Sequence, residues 1–199
     1  MIARSDVAVV AAQLGREPRG LRAVAHRCPC GLPDVVETAP RLPDGSPFPT
    51  LYYLTCPPAV AAMSGLEAAG MMRRMTARLA DEPTRAKYER AHRDYLARRD
   101  AAAAAAGLEP LPEGMQSAGG MPDRVKCLHA LVAHELAAPG ANVFGREALE
   151  AAGQWWSRGR CVPVPEETAP GETAPEDTAP EDTAPGEMVP EKTVPEEAE

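Results

Sequence analysis

The first third of the chain has the pattern of short strands separated by turns. Leu21 to Arg27 alternates imperfectly between apolar and polar side chains, and a second apolar segment runs from Val35 to Ala39. Leu51 to Thr55 is rich in residues that favour strands. Asp44-Gly45 and several prolines mark a turn before this last segment. We therefore predict three strands that form a small antiparallel sheet.

Later in the chain, apolar residues recur every three or four positions, the period of an α-helix. This pattern predicts three main helices, at Val60 to Leu79, Pro83 to Ala106 and Pro122 to Ala138. Two shorter helices are predicted at Asp6 to Leu14 and at Gly145 to Trp156, the latter anchored by its tryptophans. The prediction is an α+β fold, in which three main helices pack on the small sheet.

The last 35 residues have a different pattern. Thr-Ala-Pro recurs four times at intervals of five residues, with acidic residues between the repeats. A proline at every fifth position prevents a helix, and the segment has too few apolar residues for a core. We predict a globular domain over residues 1–164 and a disordered acidic tail over residues 165–199.

Charge divides the chain at the same boundary. The tail holds 12 of the 29 acidic residues and one of the 21 basic residues, which leaves 17 acidic and 20 basic residues in the domain. A net charge of +3 is too small to indicate nucleic acid as a partner. The chain has no apolar run near the roughly 18 residues of a membrane span, and Val7 to Ala12 is a poor signal peptide. We therefore expect a cytoplasmic protein without a membrane partner.

The five cysteines provide the first candidate chemistry. In a reducing compartment they would be thiols or metal ligands rather than disulfides. Cys28 and Cys56 each follow a predicted strand, Cys127 lies on a predicted helix, and Cys161 follows the tryptophans. Four thiols that meet in the fold would suit zinc or an iron–sulfur cluster. No two cysteines have C-x-x-C spacing, so the alternative is that each thiol is a small buried apolar group.

The histidines of the third main helix do not extend this ligand set. Cys127 and His134 share a face but are separated by about 10.5 Å of helical rise, which is long for one ion. His129 lies at the edge of the apolar face. This helix would therefore contribute Cys127 alone, or Cys127 with a neighbour such as Asp123.

The start of the same predicted helix suggests a second chemistry. Gly119 and Gly120 would let backbone amides approach a ligand, and Arg124 and Lys126 add positive charge. An enzyme or a binding module could hold a phosphorylated or other anionic small molecule there, although the glycines would also suit a simple helix cap. A third possibility is a module that binds an unknown protein partner. The chain has no established catalytic motif, so the catalytic residues are unknown; a cysteine–histidine nucleophile stays open.

Several phrases of the sequence are specific to one family. They are Gln13-Leu14-Gly15-Arg16, Arg27-Cys28-Pro29, Pro43-Asp44-Gly45, Pro47-Phe48-Pro49-Thr50-Leu51-Tyr52-Tyr53-Leu54, and Gly119-Gly120-Met121-Pro122-Asp123-Arg124-Val125-Lys126-Cys127-Leu128-His129. Over roughly Ser5 to Cys161 the chain resembles the bacterial, mainly actinobacterial, domain-of-unknown-function family 501. That family has no established activity, so the resemblance implies no catalytic residue.

The resemblance does bear on the cysteines. It implies that Cys28, Cys56, Cys127 and Cys161 stand at positions where the family has cysteine, whereas Cys30 looks peculiar to this chain. Four thiols are the number that a closed metal site needs. The leading hypothesis is therefore a protein that binds zinc or an iron–sulfur cluster through these four residues.

Overall fold

The computed structural model describes residues 2–112, 117–157 and 159–163. The predicted tail, and the boundary predicted at residue 164, lie outside these residues. Buried apolar residues, with half-buried ones packed against them, form one core that draws on the described chain from Ala25 to Cys161. None of the helices in the described ranges combines the length and the apolar character needed to cross a membrane.

The sheet has three antiparallel strands in the order in which they occur along the chain. They are β1 (Leu21–Arg27), β2 (Pro33–Thr38) and β3 (Tyr52–Leu54). Arg27 pairs with Pro33, and Val35 pairs with Leu54. The end of β1, the start of β2 and the end of β3 therefore lie at the same end of the sheet. The predicted antiparallel sheet is confirmed.

The structure has six α-helices among the described residues, and the predicted α+β fold is confirmed. They are α1 (Arg4–Leu14), α2 (Pro57–Ala68), α3 (Met71–Ala77), α4 (Glu82–Ala105), α5 (Leu128–Ala137) and α6 (Val143–Ala152). Short 3₁₀ turns lie at Arg78–Ala80 and Ala118–Gly120. As predicted, α1 ends at Gly15, which has the left-handed backbone conformation of a helix C-cap.

Three helix predictions are wrong in their boundaries. The helix predicted from Gly145 to Trp156 is α6, which ends at Ala152, so both tryptophans lie beyond it. The helix predicted from Val60 to Leu79 is divided into α2 and α3, because Gly70 has φ = 77° and interrupts the helical hydrogen bonds. The helix predicted from Pro122 begins only at Leu128, and Cys127 is its N-cap. Arg124 N bonds to Gly120 O and Lys126 N bonds to Gly119 O, so a compact turn occupies the segment that was predicted as helix.

A buried polar network joins α4, α5 and the start of α6. The amide oxygen of Asn142 caps α6 by accepting a hydrogen bond from Gly145 N at 2.9 Å, so its amide nitrogen faces His134 Nδ1 at 3.3 Å. His134 Nε2 lies 2.8 Å from Asp94 Oδ2, and the ring is completely buried. This arrangement assigns the neutral tautomer, in which Nδ1 accepts and Nε2–H donates. The Asn142 cap thus fixes the tautomer and the orientation of His134, whose ring stacks on that of Tyr52.

Candidate metal centre

A groove of about 740 Å³ runs between the sheet and the helices. The end of α1, strand β3 and the starts of α2 and α5 form its walls. Its lining is mainly apolar, and Leu14, Tyr52, Leu54, Pro57, Val60 and Ala130 are among the residues that line it. Lys126, Cys127 and His129 add polar groups to one wall. Mostly apolar concave sites with a few convergent polar groups are typical of small-molecule sites.

Three possible metal ligands lie together here, and we call Glu67, Cys127 and His129 the groove cluster. Cys127 and His129 line the groove, whereas Glu67 approaches them from α2 and is not part of the lining. One ligand atom from each residue lies within 4.8 Å of the other two. His129 Nδ1 is 3.1 Å from Glu67 Oε1 and 3.8 Å from Cys127 Sγ. Glu67, near the end of α2, also accepts a hydrogen bond from Leu128 N at 2.7 Å, so it caps α5 from outside. This bond holds the carboxylate of Glu67 beside Cys127, the N-cap of α5, and His129.

The other ring nitrogen of His129 points to the backbone. Nε2 lies 3.2 Å from Val60 O and 3.4 Å from Ser64 Oγ. When Nε2–H donates to the carbonyl, Nδ1 keeps its lone pair for the side shared with Cys127 and Glu67. Metal-ligating histidines have this arrangement, in which the second nitrogen donates to a carbonyl or carboxylate.

A proton and a metal ion would compete for Nδ1 of His129. The hydrogen bond with Cys127, reinforced by the Glu67 carboxylate, raises the pKa of His129 to about 9 although burial opposes the rise. The side chains of His129 and Glu67 are 25% and 22% exposed. An anionic pocket that attracts a proton to Nδ1 also attracts a cation, so binding of a metal would displace this proton.

The cluster differs from a nucleophile–histidine–acid triad. In such a triad, the nucleophile and the acid face different ring nitrogens, so that a proton taken at one is balanced at the other. Here Cys127 and Glu67 both face Nδ1 of His129. Convergence of three ligand types on one point is the geometry of chelation.

The other four cysteines form a second group, which we call the thiol cluster. Cys28 and Cys30 lie in the turn between β1 and β2, and Cys56, two residues after the end of β3, is the N-cap of α2. The thiol of Cys30 lies beside those of Cys28 and Cys161, and the thiol of Cys161 also lies beside that of Cys56. All are free thiols. Because the strand ends share one end of the sheet, cysteines distant in sequence meet there.

The pKa values within the thiol cluster diverge. Burial raises the pKa of Cys28 to about 11 and also raises those of Cys56 and Cys161. Burial would likewise raise the pKa of Cys30, but hydrogen bonds from the backbone of Leu32 and Cys161, and from the neighbouring thiols, lower it on balance. Cys30 is therefore the member of the cluster most readily converted to thiolate.

The structure divides the four cysteines of the leading hypothesis. Cys28, Cys56 and Cys161 lie in the thiol cluster, where Cys30 is the fourth member. Cys127 belongs to the groove cluster with Glu67 and His129. Metal binding by any of these residues remains a prediction.

The anion hypothesis depends on a helix N-terminus near Pro122, and no α-helix in the described part of the chain begins there. Gly119, Gly120, Arg124 and Lys126 all precede Leu128, where α5 begins. The amide of Leu128 is bound to Glu67 rather than free for a ligand. Gly119 and Lys126 do line the groove, so they stand beside a cavity of a different kind.

Sequence reasoning missed three residues of the two clusters. Cys127-Leu128-His129 placed two ligands near each other, but the assumed helix put them on different faces; with Cys127 as the N-cap, they share one side. Glu67 gave no signal, since its partners lie more than 60 residues away. Cys30 has a visible signal in its C-x-C spacing with Cys28, but this spacing is less diagnostic of a metal site than C-x-x-C.

The comparisons with known proteins bear on the family alone. No curated protein matched the chain. No solved structure matched it either. The model of the family described as a protein of unknown function (DUF501) matches residues 24–150, a range that includes the groove cluster and three of the four thiols. The match covers well over half of the chain, and the chain belongs to the DUF501 family.

Proposed function

We propose that this protein binds a zinc ion through Glu67, Cys127 and His129, and that the ion serves a ligand bound in the adjoining groove. The observation that carries the proposal is the mutual approach of a carboxylate, a thiol and an imidazole to within 4.8 Å, with the thiol and the imidazole at the groove wall. Zinc accepts all three ligand types. Three protein ligands leave a fourth position for water or a bound molecule, as in catalytic zinc sites.

The groove indicates the class of molecule that would reach this position. Tyr52, Leu54 and Val60 supply apolar surface, and Cys127 and His129 place the proposed ion at the same wall. A small, largely apolar molecule with one metal-coordinating group would match this lining. Lys126 on the same wall would favour a negative charge on that group.

The proposal is tested with the full chain, purified with reductant, stripped with a chelator and titrated with zinc against a chromophoric competitor. Each of the variants Cys127→Ser, His129→Gln and Glu67→Gln should abolish or weaken the binding of zinc at the groove cluster. Gln at position 67 retains an oxygen for the Leu128 amide, which separates loss of charge from loss of the cap. His92→Gln, a histidine of α4 that bonds to Ser117, is the matched control and should leave binding unchanged.

An alkyl hydroxamate tests the groove, because its head group coordinates zinc and its chain is apolar. It should raise the melting temperature of the zinc-loaded wild type and have no such effect on Cys127→Ser. Unchanged zinc affinity in all three cluster variants would overturn the proposed site. Equal stabilisation by the hydroxamate with and without zinc would overturn the link between ion and groove.

A further inference from the structure

We infer that Cys28, Cys30, Cys56 and Cys161 form a second, closed zinc site that fastens the segment around residue 161 to the end of the sheet. Three separate parts of the chain supply these thiols: the β1–β2 turn, the start of α2 and the segment beyond α6. The site would be independent of the groove cluster, with which it shares no residue.

The thiols are within reach of one another through a continuous series of contacts. Cys28 lies beside Cys30, Cys30 beside Cys161, and Cys161 beside Cys56. The two ends of this series, Cys28 and Cys56, also interact electrostatically and are 3% and 0% exposed. No three of these sulfurs, all in the described part of the chain, reach the mutual 4.8 Å spacing of the groove cluster. An ion would draw the series into one shell.

The side chain of Gln13 links Cys161 to the β1–β2 turn that holds Cys28 and Cys30, and this link is the strongest geometric support for the site. Its amide donates to Pro33 O at 2.7 Å, where the turn ends and β2 begins. The side-chain amide of Gln13 donates to Cys161 Sγ at 3.2 Å. Hydrogen bonds of this kind favour the charged form of the acceptor and orient metal ligands.

Local structure orders the other three thiols. Gly31 N bonds to Cys28 O at 2.7 Å and Cys28 N bonds to Leu32 O at 2.9 Å, which closes the turn that holds Cys28 and Cys30. Gly31 adopts φ = 89°, a conformation that glycine accepts without strain. Cys56 is the N-cap of α2, and since Pro57 and Pro58 have no N–H, Ala59 supplies the first backbone donor of this helix.

The four thiols lie in the apolar core or against it, as small hydrophobic groups do. Packing alone would not require thiols from three segments of the chain to meet, and here each lies beside another thiol. A four-thiolate shell without an open position is the usual form of structural zinc sites. The C-terminal segment contributes a single ligand, Cys161, so its attachment to the domain would depend on the ion.

The test is protection of individual thiols from alkylation in the full-length wild type, with each site read by mass spectrometry. Zinc should slow alkylation of Cys30 and Cys161 by about tenfold or more, because structural zinc binds thiolates tightly. The protection should persist in Cys127→Ser and His129→Gln, which removes the groove cluster from the measurement. Equal alkylation rates with and without zinc would overturn the inference, as would a Cys30–Cys161 disulfide in protein kept in reductant.

Cobalt substitution separates the two sites spectroscopically. Four thiolates should give a stronger sulfur-to-cobalt charge-transfer band than one, and Cys30→Ser should remove most of it while Cys127→Ser removes little. Gln13→Ala keeps all four ligands and should reduce zinc affinity by roughly 10–100-fold. A charge-transfer band that is insensitive to Cys30→Ser and Cys161→Ser would contradict the site.

Discussion

The groove cluster and the thiol cluster use the same residue type in different surroundings. The groove cluster has one thiol, one imidazole and one carboxylate, each partly exposed, and the thiol and the imidazole line the groove. The thiol cluster has four neighbouring thiols, two of them on buried residues, and the Gln13 amide donates to one of them. An open set of mixed ligands suits exchange with a bound molecule, whereas a closed set of thiolates suits the joining of chain segments. Surroundings, rather than the presence of cysteine, separate the two proposed roles.

The largest effect that would test this comparison is on global stability. Zinc at a thousand times its dissociation constant should raise the free energy of unfolding by about 4 kcal/mol for each occupied site. Cys161→Ser should abolish the part due to the thiol cluster, and Cys127→Ser should abolish only the part due to the groove cluster. Denaturant unfolding with and without zinc measures both. Equal stabilisation of Cys161→Ser and of the wild type by zinc would contradict the proposed structural role of the thiol cluster.

The next effect acts on the helix that carries the groove cluster. A Cβ on Gly145 would come within 2.9 Å of the backbone of Leu131 and within 2.8 Å of Glu135 Cβ, so α6 could not lie as close to α5. Gly145→Ala should therefore lower the free energy of unfolding by roughly 1–3 kcal/mol, as measured by urea denaturation. It should weaken zinc binding by Cys127 and His129 more than binding by the thiol cluster.

Gly65→Ala is the matched control for this change. Gly65 lies within α2 and a Cβ there would meet nothing within 4 Å. Because alanine is a better helix former, this variant should be more stable than wild type by roughly 0.5–1 kcal/mol. Destabilisation of both variants to the same extent would contradict the explanation from helix packing.

A third, smaller effect compares the two histidines of α5 in the metal-free protein. Burial lowers the pKa of His134, although Asp94 opposes this, while Arg98 adds to the lowering and Glu135 acts against it. The folded-state pKa lies below the unfolded one, so the unfolded chain binds a proton first as the pH falls below about 6.5. The contribution of His134 to the free energy of unfolding should thus be fully present above that pH and should decrease as the pH falls below it.

His134→Gln isolates this contribution, because it removes the titration. The excess stability of the wild type over the variant, from urea denaturation, should shrink between pH 7 and pH 5. The pKa of His129 is raised to about 9, so its contribution has the opposite sign: it is present below about 6.5 and is lost as the pH rises towards 9. A difference that grows on acidification would contradict the neutral state of His134.

The smallest effect concerns charge at the groove. Lys126 is exposed at the groove wall, whereas Arg124 is absent from the described residues that line it. Lys126→Ala should weaken binding of a fatty-acid probe by about 1 kcal/mol or less, since exposed ion pairs contribute little. Arg124→Ala is the control and should leave the affinity unchanged. Calorimetric titration measures both, and equal losses would show that the charge acts from a distance.

The sequence predicted the sheet well and the functional clusters only in part. Strand β1 has the predicted bounds, because the turns on either side of it have strong local signals. The start of α5 was missed: the residues around Pro122 have helical periodicity, but a compact turn there places Met121 and Val125 in the core. This shift of six residues turned Cys127 and His129 towards Glu67, and no local pattern could reveal it.

By itself, the sequence determined the α+β class, the family and the types of ligand that the chain can offer, because these follow from periodicity, motifs and side-chain chemistry. Only the tertiary structure decided which ligands meet. Antiparallel pairing brings the ends of β1 and β3 to one end of the sheet, with Cys30 among the thiols there, and the packing of α2 on α5 brings Glu67 to His129. Such contacts join residues far apart in sequence, and the three-dimensional packing of the whole domain determines them.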